Sequence, residues 1–211
     1  MRKNKFVIGL LSLSVIACLG CTKKEIKNVN SQGKNIICFG DSITFGYGVK
    51  PGEDYPTALA KLVSIPVLNM GIDGDTTNEA VRRVNSDVLD RDPYIVIIEF
   101  CGNDFLRKVP IEVTVNNIRE MVNQIQGKGA MVTIVDVSAG MFLKEYHSVF
   151  AQLAKETNCI FVPGVLGGII TNPSMKSDFM HPNGNGYKII AQKVYQAIKP
   201  YLKNSAQKGA S

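Results

Sequence analysis

The residues best suited to chemistry in this sequence are a serine, a histidine and an aspartate in two short glycine-containing stretches. Ser42 lies in ICFGDSITFGYG, and Asp178 and His181 lie in SDFMHPNGNGY. A serine hydroxyl becomes a nucleophile when a base removes its proton, and a third group must hold that base in one tautomer. An aspartate three residues before a histidine, on a turn stiffened by Pro182, can orient its imidazole. The residue types and their spacing therefore suit nucleophilic catalysis.

Each of these residues also has a purely structural interpretation. Ser42 could be an ordinary helix cap in a glycine-rich turn, since serine and aspartate are common at helix starts. Asp178 and His181 could belong to the capped start of the last helix, with Asn183 or Asn185 as the cap. Taken alone, neither stretch decides between structure and catalysis.

The only other histidine, His147, lies in an amphipathic segment between Tyr146 and Ser148. A histidine in such a segment is usually either solvated or packed against its neighbours. We interpret His147 in this way, which leaves His181 as the candidate base.

The elements that position these residues can be predicted from hydrophobic periodicity. Short apolar runs rich in β-branched residues predict strands at 35–39, 66–69, 94–100, 131–137 and 159–162. Segments with helical spacing predict helices at roughly 53–63, 76–90, 111–126, 143–157 and 184–202. Continuous apolar strands separated by helices indicate a parallel sheet covered on both faces. We therefore expect a three-layer α/β/α sandwich around a five-stranded parallel sheet.

The candidate residues all follow predicted strands. Ser42 follows the first strand, Gly74 the second and Asn103 the third, while Asp178 and His181 come after the fifth. Loops at the carboxyl ends of parallel strands converge on one edge of the sheet, where ligands bind. Asn103 alone also fits an ordinary turn. Their occurrence on successive strand ends predicts one shared site.

Four stretches carry a resemblance to a known family. In order, FGDSITFGYG, NMGIDGDT, FCGND and DFMHPNGNGY resemble the four sequence blocks of the SGNH hydrolases, the GDSL esterase and lipase family. The resemblance extends from about residue 36 to 202. It is strongest to the bacterial thioesterase I, lysophospholipase L1 and arylesterase group, through GYG, GIDGDTT and GNDFLRKVP. It implies the flavodoxin-like SGNH hydrolase fold.

The resemblance also implies a role for each matching residue. Ser42 would be the nucleophile, His181 the general base and then acid, and Asp178 the orienting carboxylate. The backbone N–H groups of Ser42 and Gly74 and the side-chain amide of Asn103 would form the oxyanion hole. This set implies a serine esterase or thioesterase that forms an acyl-enzyme intermediate.

Two further aspartates and two departures from the family pattern lie beside these positions. Asp41 and Asp104 are expected to support the site rather than to act as catalytic acids. Cys101 stands where the family commonly has glycine, and Phe105 where these thioesterases often have a small residue. Both departures predict an acyl pocket that is narrower or differently shaped.

We expect the substrates to be small acyl esters or thioesters: short to medium acyl esters, aryl esters and lysophospholipids. No metal or cofactor is expected. One alternative is a carbohydrate acetylesterase of the same fold, and another is a non-catalytic envelope lipoprotein. The acyl length, the leaving group and the oligomeric state are open at this point.

The first residues have the pattern of a targeting segment. A basic start, an apolar run at 6–17 and two cysteines, Cys18 and Cys21, resemble a lipoprotein signal peptide with two overlapping lipoboxes. We favour Cys21 as the lipidated residue. A plain secretory signal and a redox CxxC pair are the alternatives. With lipidation we expect a lipoprotein of a bacterial cell envelope, bound to the membrane through its anchor. Without lipidation we expect a secreted or periplasmic protein.

The expected organisation is a signal peptide at 1–21, a polar linker at 22–34, the hydrolase domain at 35–203 and a flexible tail at 204–211.

Charge and cysteine content exclude two other classes of protein. The net charge is +6, but residues 1–30 hold six Lys or Arg and one acidic residue, so the body is almost neutral. A nucleic-acid-binding stripe is therefore not expected. The body has an odd number of cysteines, Cys38, Cys101 and Cys159, in largely apolar surroundings. We predict buried free thiols rather than a disulfide scaffold.

Overall fold

The structure, a computed structural model, describes residues 25–141 and 143–203. Its centre is an all-parallel five-stranded sheet in the order β2-β1-β3-β4-β5. The strands are β1 Asn35–Gly40, β2 Val67–Gly71, β3 Pro93–Glu99, β4 Met131–Val135 and β5 Ile160–Val162. This order is that of the flavodoxin-like doubly wound folds. The predicted fold class is confirmed.

Seven α-helices connect and cover the strands in the described part of the chain. They are α1 Ser42–Phe45, α2 Tyr55–Ala60, α3 Thr77–Asp87, α4 Gly102–Leu106, α5 Ile111–Gly127, α6 Lys144–Thr157 and α7 Gly184–Ile198. The prediction missed the short helices α1 and α4, which carry Ser42 and Asn103. The last helix ends earlier than predicted, because Pro200 lacks the N–H that would continue it, and a 3₁₀ turn follows.

The helices form two layers, one on each face of the sheet. On one face α2 packs against α7, and on the other α5 packs between α3 and α6. All seven residues of the central strand β3 are buried, as expected for a strand covered on both sides. Three cysteines, Cys38, Cys101 and Cys159, are buried free thiols, as predicted. The apolar core thus supports the carboxyl ends of the strands as a rigid platform.

The chain before β1 is packed against the opposite, amino-terminal edge of the sheet. The backbone N–H of Lys27 donates to the carbonyl of Asn158, at 3.0 Å, just before β5. The side chain of Asn28 donates to two backbone carbonyls where α5 leads into β4, both at 2.9 Å. The second half of the expected linker is therefore bonded to the domain.

Some of the sequence-based expectations lie outside the described residues. These are the signal peptide with Cys18 and Cys21, the start of the linker, and the tail at 204–211. Among the helices that are described, none has the length and apolar character needed to cross a membrane.

Candidate active site

Ser42, His181 and Asp178 form one hydrogen-bonded chain. His181 Nε2 lies 3.1 Å from Ser42 Oγ, and His181 Nδ1 lies 2.8 Å from Asp178 Oδ2. Ser42 is the first residue of α1, directly after β1, and the other two lie in the loop before α7. The fold thus joins residues separated by 139 positions, as the strand-end argument predicted.

The local hydrogen bonds keep Asp178 ionised. Burial alone would raise its pKa, but hydrogen bonds from the His181 ring and from the backbone N–H groups of His181 and Met180 outweigh that effect, so the pKa lies below its usual value. The two backbone bonds, both to Oδ1, measure 2.8 and 2.7 Å. An ionised Asp178 favours the His181 tautomer that is protonated at Nδ1. Nε2 is then free to accept the proton of Ser42.

The turn that presents Ser42 is held by its neighbours. Asp41 caps α1, because its Oδ1 accepts a hydrogen bond of 3.1 Å from the backbone N–H of Ile43. A Cβ at Gly71, the last residue of β2, would lie 2.1 Å from the backbone nitrogen of Phe45. Only glycine permits this close approach, so α1 rests directly on the end of β2.

Two buried carboxyl groups, Asp41 and Glu99, line the same cavity as Ser42. Burial raises the pKa of both, and the neighbouring Asp41 charge raises that of Glu99 further. Thr44 Oγ1 donates to Glu99 Oε2 at 2.7 Å. In the part of the chain that the structure describes, Glu99 Oε1 has no hydrogen-bond partner. Nothing in the apolar sequence of β3 indicated that Glu99 would be a buried carboxyl group with a raised pKa.

Of the two other residues expected in the oxyanion hole, Asn103 lines the same cavity as Ser42, and Gly74 lies in the turn after β2. Gly74 has a φ of +82°, in the left-handed region that favours glycine. Its carbonyl accepts a hydrogen bond of 2.7 Å from Arg107. Asn103 Nδ2 donates to the carbonyl of Asp75 at 3.1 Å. The Gly74 turn and the Asn103 amide are thus tied together.

Asp104 lies away from the reacting groups and joins three helices. Its side chain is fully buried in α4. It accepts hydrogen bonds from the backbone and hydroxyl of Thr77 in α3, at 3.0 and 2.5 Å, and from the hydroxyl of Thr114 in α5, at 3.0 Å. These bonds fix the position of α4, and with it Asn103.

The cavity above Ser42 has a volume of about 250 Å³. Ser42, Asn103 and His181 lie at its polar side. Its apolar lining comes from Ile43, Leu106, Val137, Leu143, Leu166 and Met180. The two residues expected to alter the shape of the cavity differ in burial: Cys101 is fully buried, and Phe105 is 43% exposed. Cys101 has a φ of +148°, which explains why glycine is common there in the family.

A second aspartate–histidine pair follows β4. His147 Nδ1 lies 2.7 Å from Asp136 Oδ2, and the same oxygen accepts from Ser138 Oγ at 2.8 Å and from the backbone N–H of Gly164 at 3.0 Å. Asp136 is completely buried, whereas 47% of the His147 side chain is exposed. His147 is therefore paired as well as partly solvated. No sequence pattern indicated this pair, because an aspartate at the end of a strand resembles any turn residue.

Comparisons with known proteins agree with this geometry. A model of the GDSL-like lipase/acylhydrolase family matches residues 38–189. An arylesterase of Vibrio mimicus is 26% identical over 207 residues, which cover 93% of this chain and all of the relative. A protein of Escherichia coli named thioesterase 1/protease 1/lysophospholipase L1 is 22% identical over 179 residues, covering 81% of this chain and 86% of the relative.

A solved structure shares the same fold. The esterase EstA from Pseudoalteromonas, in a structure inhibited by monoethylphosphonate, matches with a TM-score of 0.72 at 26% identity, covering 81% of this chain and all of EstA. The chain therefore belongs to the GDSL-like lipase/acylhydrolase family, the SGNH hydrolases. It is a carboxylic ester hydrolase with the esterase and thioesterase function of that family. The family resemblance found in the sequence is confirmed.

Proposed function

We propose that the protein cleaves acyl esters and thioesters through a covalent acyl-enzyme on Ser42. His181 is the general base and then acid, and Asp178 orients it. The observation that carries this proposal is the chain of hydrogen bonds from Ser42 Oγ through His181 to Asp178, with atoms 3.1 and 2.8 Å apart. The nucleophile and its base are within the distance that proton transfer requires.

Acylation begins when His181 Nε2 takes the hydroxyl proton of Ser42 as Oγ attacks the carbonyl carbon. The carbonyl oxygen becomes an oxyanion, stabilised by the backbone N–H groups of Ser42 and Gly74 and by the Asn103 amide. Each such donor typically lowers the barrier by about 3 to 4 kcal/mol. The imidazolium then gives its proton to the departing alcohol or thiol, and the acyl group remains on Ser42.

Deacylation repeats these steps with water. His181 takes a proton from a water molecule, whose oxygen attacks the acyl carbon. When the second tetrahedral intermediate collapses, the proton returns to Ser42 and the carboxylic acid leaves. Asp41 supports these steps by capping the helix that begins at Ser42, and Asp104 by fixing α4.

The cavity supports short to medium acyl groups as substrates. Its volume of about 250 Å³ and its apolar lining suit a short alkyl or aryl acyl chain. The names of the two relatives described above support aryl esters, thioesters and lysophospholipids as substrate classes. We expect the highest kcat/KM in a p-nitrophenyl ester series at acetate to hexanoate. An optimum beyond C10, or cleavage of acetylated xylan alone, would contradict this range.

The experiment that tests the mechanism replaces the nucleophile. We expect Ser42→Ala to lower hydrolysis of p-nitrophenyl butyrate by about 10⁴-fold or more and to abolish fluorophosphonate labelling. Ser64→Ala, an exposed serine after α2, is the matched control and should keep wild-type activity. Thermal unfolding checks that both variants are folded. Wild-type turnover by a folded Ser42→Ala protein would contradict the proposed mechanism.

We also propose that the chain is anchored in a bacterial cell envelope by a lipid on Cys21. The basic start, the apolar run and the small residue before Cys21 support this proposal. Cys21→Ser should abolish incorporation of labelled palmitate in a bacterial host, whereas Cys18→Ser should retain it. The opposite pattern would move the anchor to Cys18, and labelling of neither protein would indicate a plain secretory signal.

A further inference from the structure

The ring of Tyr47 lies against the face of the His181 imidazole. The two ring centroids are 4.4 Å apart, and the ring planes are inclined by 39°. The in-plane nitrogens of His181 are already occupied by Asp178 and Ser42. Tyr47 therefore contacts the part of the imidazole that those hydrogen bonds leave open.

The backbone around Tyr47 holds this contact in place. The backbone N–H of Tyr47 donates to the carbonyl of Ser42, and the hydroxyl of the buried Tyr187 donates to the carbonyl of Tyr47, both at 3.0 Å. A Cβ at Gly48 would lie 2.2 Å from Ser177 Oγ. Glycine at this position lets the Tyr47 turn pack directly on the loop that carries the aspartate and the histidine.

An aromatic face treats the two protonation states of a histidine differently. Its quadrupole attracts a cation within about 6 Å of the ring centroid. A neutral imidazole gains little from the same contact. In the proposed mechanism His181 is charged only near the tetrahedral intermediates. An interaction that is stronger in the transition state than in the ground state raises kcat.

We propose that Tyr47 is a positioning residue that stabilises the imidazolium form of His181 and holds its ring toward Ser42. This inference rests on the proposed function in taking His181 as the base. Its physical basis, an aromatic ring on the imidazole face, is independent of which ester is cleaved.

The other titratable groups around His181 lie on its own loop and in the lining of the cavity. Asp178 lies on its own loop, and Asp41, Asp73 and Glu99 line the cavity from the segments after β1 and β2 and from β3. These groups remain in every Tyr47 variant. A change in the titration of His181 between variants therefore reports the ring at position 47.

The direct test is a titration of His181 by NMR in the full-length protein. The chain has only two histidines, so His147→Gln assigns both signals. Tyr47→Phe keeps the aromatic face and should leave the His181 midpoint unchanged. Tyr47→Leu keeps apolar bulk without the face and should lower the midpoint by about 0.3 to 0.7 of a pH unit.

Kinetics supply the second readout. Because Tyr47 also lines the cavity, the decisive quantity is kcat, which Tyr47→Leu should lower roughly 3- to 30-fold and Tyr47→Phe should restore. The acidic limb of the pH profile should move to lower pH in Tyr47→Leu alone. Phe45→Leu is the matched control, because Phe45 is an exposed aromatic residue in the preceding helix.

Two outcomes would overturn the inference: an unchanged or raised His181 midpoint in folded Tyr47→Leu, or a lowered midpoint in Tyr47→Phe. If Tyr47→Leu does not fold, pentafluorophenylalanine at position 47 keeps the ring shape, reverses its quadrupole and should lower the midpoint further. The NMR readout needs no turnover. Failure of ester hydrolysis with a lowered midpoint would therefore reject the proposed function alone, and hydrolysis with an unchanged midpoint would reject this inference alone.

Discussion

The molecule contains two aspartate–histidine pairs with nearly the same contact and different surroundings. The distance between Nδ1 and Oδ2 is 2.8 Å in the pair of Asp178 and His181, and 2.7 Å in the pair of Asp136 and His147. The burial is reversed. The His181 side chain is 13% exposed beside a 41% exposed aspartate, whereas His147 is 47% exposed beside a completely buried aspartate.

The two pairs differ in the group that contacts the histidine Nε2 and in the hydrogen bonds that the carboxylate accepts. His181 Nε2 meets a serine hydroxyl at the end of β1. Asp136 instead accepts four hydrogen bonds, from Ser138, Gly164 and His147, which join the ends of β4, β5 and α6. In the proposed mechanism the first pair orients a base, whereas the second pair joins three chain segments.

The largest difference is expected when the two histidines are replaced separately. His181→Asn should lower kcat/KM for p-nitrophenyl butyrate on the order of 10⁴-fold, because the base is lost. His147→Asn should change it by less than about 3-fold, since His147 acts through loop packing. Purified variants with matched circular dichroism provide the comparison. Equal losses in both variants would remove the distinction between the pairs.

Replacing the two aspartates should separate activity from stability. Asp178→Asn should lower kcat about 10²- to 10⁴-fold with little change in thermal stability, because the amide no longer fixes the His181 tautomer. Asp136→Asn should lower the free energy of unfolding by about 2 to 4 kcal/mol, because a buried amide N–H₂ would face other donors.

Urea unfolding and active-site titration with a fluorophosphonate measure these two effects. Activity per labelled site should stay near the wild-type value in Asp136→Asn. A loss of activity per labelled site, with normal stability, would assign Asp136 to the chemistry instead.

The smallest expected effect concerns acid stability. The pKa of Asp178 is lower in the folded chain than its usual value of about 4. Its ionised form therefore favours the folded state above that usual value, and this contribution is lost as the pH falls through the folded pKa. The difference in unfolding midpoint between wild type and Asp178→Asn should thus be small at pH 7 and should shrink as the pH falls below the usual pKa of an aspartate. A difference that grows on acidification would contradict this sign.

Much of the fold and of the first pair could be predicted from local patterns. Continuous apolar runs that alternate with segments of helical spacing predict the parallel sheet. The positions of Ser42 and His181 after predicted strands predict that they meet at one edge of the sheet. The short helix at Ser42 was missed, since four residues leave no periodicity. Its position depends on the close approach that Gly71 allows.

The second pair and the buried carboxyls could not be predicted, because they depend on long-range packing. His147 is aligned with Asp136 only when α6 folds back beside the end of β4. Glu99 lies in an apolar strand, and only the folded structure shows that its side chain is buried and accepts a hydrogen bond from Thr44. Asn28 belongs to a polar stretch that resembles a free linker, yet it bonds to the carbonyls before β4.

The attachment of that stretch determines how the cavity is presented. Lys27 and Asn28 are bonded at the amino-terminal edge of the sheet, and Ser42 stands at the other edge. A six-residue strand separates these edges by about 20 Å. The anchor proposed above would therefore join the domain on the side away from the cavity. An enzyme anchored in this way would open toward the surrounding medium and would meet diffusing esters or a facing surface before lipids of its own leaflet.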